Sequence, residues 1–166
     1  MIDIDYARGM IRYNRWMNER LYACCASLSD EQRKEDRGAF FKSIHGTLNH
    51  LIFADQAWLN RFTGVSIDGL NPAATSYDDF EKLSARRAAL DEELAAWVET
   101  LQPEWLATDF SYFSKAYNST FTRPAWLLVA HLFNHQTHHR GQLTTLLSQC
   151  GIDPGVTDLP VTPGFG

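Results

Sequence analysis

Four stretches of the chain repeat their apolar residues at three- and four-residue steps, the spacing that lines one face of a helix. Residues 3–28 carry Ala7, Met10, Ile11, Asn14, Met17, Leu21 and Cys25 in that register. A second helix is predicted to open at Ser43, a suitable N-cap. It uses Ile44, Leu48, Leu51, Ile52, Leu59 and Phe62 as its stripe and stops at Gly64. The third is predicted over 76–101 on Phe80, Leu83, Arg87, Leu90, Leu94, Trp97 and Leu101. Its first turn, Ser76-Tyr77-Asp78-Asp79, is acidic, which suits the positive end of a helix dipole. The fourth starts with Pro124 at its first position, runs to Gln149 or Cys150, and is closed by Gly151.

The connections are read from breakers and β-formers. Ser29-Asp30-Glu31-Gln32 suggests a short turn, and the charged run to Arg37 and Gly38 is a loop. Gly64, Gly69, Asn71 and Pro72 make 64–75 a long connection. Pro103 ends the third helix. Between 108 and 122, Phe110, Tyr112, Phe113, Tyr117, Thr120 and Phe121 favour strand, with Asn118-Ser119 as a turn. A short β-hairpin across one end of the helices and plain loop packing fit that stretch equally well. Pro154, Pro160 and Pro163 keep the tail out of helix, so it is expected to drape over the surface. No linker or repeat divides the chain. The expectation is one all-α domain over 1–166, an antiparallel four-helix bundle with a long connection between helices 2 and 3, in which metal sites form from facing helices.

Some polar residues fall on the apolar faces. Asn14 and Asn18 interrupt the first stripe; a polar flank is the simpler reading, a hydrogen-bonding wall beside a metal the sharper one. Asp55 sits within the second stripe, and Arg140 lies among Val129, Phe133 and Leu147 on the fourth. A buried charge needs a partner, so an Asp55–Arg140 contact is predicted.

Histidines supply the candidate chemistry. Four of the six lie in His131-Leu132-Phe133-Asn134-His135-Gln136-Thr137-His138-His139. On a helix His135 and His139 are one turn apart, with Cβ atoms about 5–6 Å from each other, so both can reach one ion. Placing residues at about 100° intervals puts His139 inside the apolar face and His135 at its edge. His138 points to the wet side, His131 is borderline, and His50 lies in the apolar arc of the second helix while His45 lies on its polar strip. Three inward histidines from two helices outweigh a reading as hydrogen-bonded core residues. His131 fits best as a hydrogen bonder behind the ligands, with fourth ligand and core residue as the alternatives, and His45 and His138 as surface. Imidazole ligands suit zinc, nickel, copper or iron, and the residues do not choose among them; zinc or nickel is the leading expectation, with iron, copper and manganese open. Gln136 stands where a zincin peptidase has its glutamate base, which argues against that mechanism. Tyr13, Asn14, Trp16 and Trp58 are candidate pocket walls.

Asn134-His135-x-x-His138-His139-Arg140-Gly141-Gln142, with Asn49-His50-Leu51 well upstream, resembles the DinB family. The likeness extends from Tyr13-Asn14-Arg15-Trp16-Met17-Asn18 to Gly151-Ile152-Asp153-Pro154. The resemblance implies a four-helix bundle holding a divalent metal on three histidines, here His50, His135 and His139. It also implies homodimers, and in some relatives thiol-dependent transferase or isomerase activity.

Composition narrows the partners. A net charge of −5 with no basic stripe argues against nucleic acid. No run is long and apolar enough for a membrane span, and Met1-Ile2-Asp3-Ile4-Asp5 lacks the features of a signal peptide, so a cytoplasmic location is expected. Cys24, Cys25 and Cys150 form no motif and are read as free thiols. The leading expectation is a metal-dependent enzyme acting on a small molecule, by thiol transfer from a low-molecular-weight thiol to an electrophile or by hydrolysis. The alternatives are a non-catalytic metal-binding or stress-response protein, and a purely structural bundle.

Overall fold

The computed structural model describes residues 1–73 and 76–165 and is mostly helical, with one small antiparallel sheet. In chain order the elements are α1 (Ile4–Ala26), α2 (Asp30–Lys34), α3 (Ile44–Thr63), α4 (Phe80–Val98), α5 (Pro103–Leu106), β1 (Asp109–Ser114), β2 (Ser119–Pro124) and α6 (Ala125–Gln149). Of the four long helices, α1 packs against α4 and α6, and α3 packs against the same two. Their facing stripes form a continuous core that includes Met17, Leu21, Leu48, Ile52, Leu90 and Phe133.

Local chemistry sets the helix ends. Asp3, Ser43 and Asp79 each accept a hydrogen bond from a backbone N–H of the first turn, capping α1, α3 and α4. Ser29 and Gln32 complete a reciprocal capping box on α2. Gly64 ends α3 with φ of 74°, a conformation that costs glycine nothing. The third long helix begins four residues later than the sequence suggested. Asp79, not Ser76, is its cap, and Tyr77 is held instead by hydrogen bonds to Asn49. Residues 74 and 75, at the end of the predicted long connection, lie outside the described residues.

The aromatic stretch before α6 is a hairpin, with Asp109 paired to Pro124 and Ser114 to Ser119. Pro124 therefore closes β2 and precedes α6 rather than serving as its first residue. The hairpin lies over the end of α3, with Tyr112 edge-on to Trp58 and Phe110 edge-on to Phe62. The tail returns along α1: the Tyr13 hydroxyl donates to Thr157 O at 2.7 Å, and Arg20 donates to Pro154 O at 3.0 Å.

The misplaced polar residues meet in the core, but not as predicted. Asp55 pairs with Arg87 at 2.7 Å, and Arg87 also pairs with Asp91 at 2.8 Å. Asn18 donates to the same Asp91 carboxylate at 3.0 Å, and Arg140 donates to Asn14 Oδ1 at 2.6 Å. The predicted Asp55–Arg140 ion pair is therefore absent among the described residues. Arg87 on α4 reaches Asp55 first, and a buried asparagine takes Arg140. Asn14 and Asn18 are correspondingly buried partners of charged groups, not a polar flank. Burial pushes the Asp55 carboxyl above its usual range, and Arg87 opposes that push.

Candidate metal centre

The site is set up at the start of α3. Residues 39–42 make a tight turn, with Lys42 N donating to Ala39 O at 2.7 Å. The Phe41 carbonyl then packs against the first turn of the helix at Gly46. A Cβ there would stand 2.2 Å from Phe41 O, so only glycine admits this approach. The result places the Phe41 ring on His50, stacked with centroids 3.8 Å apart, and edge-on to His139 at 5.5 Å. Periodicity could not reveal Phe41, because its position follows from a loop that docks on a helix.

One turn along α3, Asn49 holds the segment before α4. Its Oδ1 accepts from Tyr77 N at 2.7 Å, and its Nδ2 donates to Tyr77 O at 3.1 Å. His45 Nε2 donates to the same carbonyl at 2.7 Å. His45 is consequently buried, which corrects its reading as a surface residue: the chain before α4 folds over the polar strip of α3.

From α6, His135 and His139 turn toward His50. His135 Nε2 lies 3.2 Å from His50 Nε2 and 3.1 Å from His139 Nε2. One ring nitrogen from each of the three falls within 4.8 Å of the others, an arrangement that could hold a metal ion. His139 Nδ1 donates to Gln142 Oε1 at 2.8 Å, which leaves its Nε2 as a lone pair facing the cluster. Gln142 is oriented in turn by its amide Nε2, which donates to His138 Nε2 at 3.2 Å. His138 is exposed, as its position on the helix suggested, yet it steadies the residue behind His139. His131 stands outside the cluster. Its ring is 6.0 Å from that of His135 and edge-on to Trp58 at 5.2 Å. It is not the hydrogen bonder anticipated, since His135 Nδ1 is buried without a partner.

Electrostatics favours a cation at the meeting point. Burial, aided by the neighbouring imidazoles, lowers the pKa of His50 to about 4 and of His135 to about 3. Burial lowers His139 as well, against the opposing pull of Gln142. All three are thus neutral near pH 7, each with a single ring proton. His135 Nε2 faces two other nitrogens, and one shared proton can satisfy only one of those approaches. The other brings two lone pairs together at hydrogen-bond distance. A shared cation relieves that repulsion, and tetrahedral zinc with Zn–N of about 2.0–2.1 Å would space neighbouring nitrogens about 3.3–3.4 Å apart. The two short approaches lie close to that spacing.

A cavity of about 420 Å³ opens on His50, lined among others by Phe41, Asn49, Phe53, Ser76 and Asp78. Asp78, the acidic side chain among the described lining residues, is exposed and paired with Lys34 at 2.9 Å. Gln136 is buried in the core, where its amide meets the Asp55 carboxyl. Tyr13 and Asn14 contact Arg140, and Trp16 carries the Arg20 guanidinium, so these expected walls do not line this cavity. Trp58 lines a neighbouring one.

Taken together, these features define a helical protein whose two facing helices gather three imidazoles, one of which, His50, lines a cavity. The DinB family model matches residues 2–164, and the chain belongs to the DinB family. Among its relatives, Protein DinB of Bacillus subtilis (strain 168) is 27% identical over 160 residues, covering 93% of this chain and 91% of that protein.

Proposed function

We propose that this protein is a metal-dependent enzyme acting on a small molecule, with His50, His135 and His139 as the ligands of one divalent ion. The observation that carries this reading is the approach of three Nε2 atoms with too few protons to satisfy them. An all-imidazole set suits zinc, nickel, copper or iron, and we take zinc or nickel as the resident ion. Three protein ligands leave a coordination position open, which is the pattern of catalytic sites. Held by the three imidazoles, a divalent ion would supply Lewis acidity and lower the pKa of a thiol or water beside it.

The chain's own residues do the remainder. Gln142 fixes the tautomer of His139, Phe41 shields His50 from one side, and the adjoining cavity admits a substrate. No carboxylate joins the cluster among the described residues, which favours a reaction whose nucleophile needs no protein base. Thiol transfer from a low-molecular-weight thiol to an electrophile meets that requirement, and hydrolysis of a small molecule is the second form of the same reading. We take residues 1–166 as a single domain, its long helices as an antiparallel four-helix bundle, and the working form as a cytoplasmic homodimer. No described helix is long and apolar enough to cross a membrane.

Turnover of a haloaromatic electrophile with a panel of small thiols tests the proposal. Activity should vanish on chelation and return with zinc or nickel. A metal-loaded protein that turns over neither this substrate nor small esters and amides would instead be a non-catalytic metal-binding or stress-response protein.

A further inference from the structure

A second cavity, about 200 Å³, lies between α3, the connection that follows it and the tip of the hairpin. Its walls are mostly apolar, from Phe53, Ala57, Trp58, Ile67 and Leu70, and two cations face it, Arg61 and Lys115. Arg61 is half-buried, with its guanidinium 4.8 Å over the Trp58 ring and 5.3 Å from Tyr112. Among the described residues no carboxylate comes within ion-pair distance of it, and its buried Nε has no hydrogen-bond partner. Burial lowers its pKa accordingly. Lys115 Nζ donates to the carbonyls of Ile67 and Asp68 at 3.1 and 3.0 Å, which uses two of its three N–H groups. The Asp68 carboxylate is engaged by the Ser66 hydroxyl at 3.0 Å.

A cation held even half out of water ordinarily has a polar partner, as Arg87 has Asp55 and Arg140 has Asn14, and in a chain of net charge −5 carboxylates are abundant. Here the guanidinium stands over aromatic faces at a cavity, and among the described residues its donors are uncommitted. We infer that this cavity binds a small carboxylate with an aromatic or apolar body, its anionic head held by Arg61 and Lys115. The planar fork of Arg61 matches a carboxylate in bidentate fashion, and Trp58, Phe53 and Leu70 enclose the body. The volume falls below the roughly 300–1,000 Å³ of drug-sized sites, so the ligand is about a single ring in size. Phe53 also lines the cavity that opens on His50, which places this site next to the candidate metal centre. The inference does not depend on a metal being bound there.

Calorimetric titration of the protein as purified, with sodium benzoate and with benzyl alcohol as its uncharged counterpart, tests the assignment. Benzoate should bind saturably and about tenfold or more tightly than the alcohol, the margin expected of charge-assisted hydrogen bonds. Arg61→Gln should weaken benzoate about tenfold or more, and Lys115→Met should weaken it by a smaller factor. Lys115 is exposed on the hairpin turn, so its variant keeps the fold and decides the matter if Arg61→Gln does not fold. Equal affinity for the two probes, no saturable benzoate binding, or benzoate affinity unchanged by the substitutions would overturn the assignment.

Discussion

Replacing Arg87 by methionine should be among the most damaging single changes outside the histidine cluster. Arg87 is 3% exposed and pairs with two carboxylates, Asp55 and Asp91, which are 0% and 4% exposed. Methionine approximates its volume but leaves both acids buried without their cation. Removing one partner of a buried pair costs about 3–5 kcal/mol, because the remaining charge keeps its desolvation penalty. For a chain of this length each kcal/mol moves the melting midpoint by about 2–4 °C, so a drop of about 6–20 °C is expected. Thermal unfolding followed by far-UV circular dichroism at neutral pH measures it. Arg8→Gln, which breaks the exposed pair with Glu99, is the control and should barely move the midpoint. Acidification adds a second check. Once Arg87 is gone, the buried acids hold their protons more tightly in the folded state than in the unfolded one. The gap from wild type should therefore narrow as pH falls and they are neutralised. A midpoint for Arg87→Met equal to that of Arg8→Gln, or a gap that widens in acid, would refute this account of the buried network.

Three further outcomes follow from the site. Gln142→Leu should weaken metal binding about 10- to 100-fold with little change in melting, because it frees the tautomer of His139 without opening the core; a competition titration against a chelator reads this. In metal-free protein, stability should be level above about pH 6.5 and fall toward pH 4 and below. The unfolded state gains protons there that His50 and His135, held at about 4 and about 3, refuse until lower pH, and urea denaturation across pH 4–8 checks the sign. Gly46→Ala should displace the 39–42 turn and uncover His50, which would appear as changed near-UV circular dichroism from the ring of Phe41 and faster modification of His50 by diethyl pyrocarbonate.

The sequence carried the helices well, because each long one repeats its apolar residues at helical spacing and ends on a capping or breaking residue. It also picked out the three histidines that the structure brings together. His135 and His139 are related by one helical turn, and His50 lies in the apolar arc of the partner helix. What it missed depends on contacts between elements. His45 reads as surface until the segment around Tyr77 lies over it. Asp55 and Arg140 both read as buried charges and so as partners, yet which cation reaches Asp55 depends on how α4 packs against α3. Phe41 sits in a loop with no periodicity. Gln142 carried a weak signal, being three residues beyond His139 on the same helix, where its amide can reach the imidazole.

Metal content of untagged protein, by mass spectrometry after gel filtration, bears most directly on the central claim. Three converging imidazoles predict about one zinc or nickel ion per chain in the wild type. His135→Ala combined with His139→Ala should lose that ion and keep its helical circular dichroism spectrum. Wild-type protein that stays metal-free after incubation with excess zinc and nickel, or a double variant that retains a full complement of ion, would contradict it.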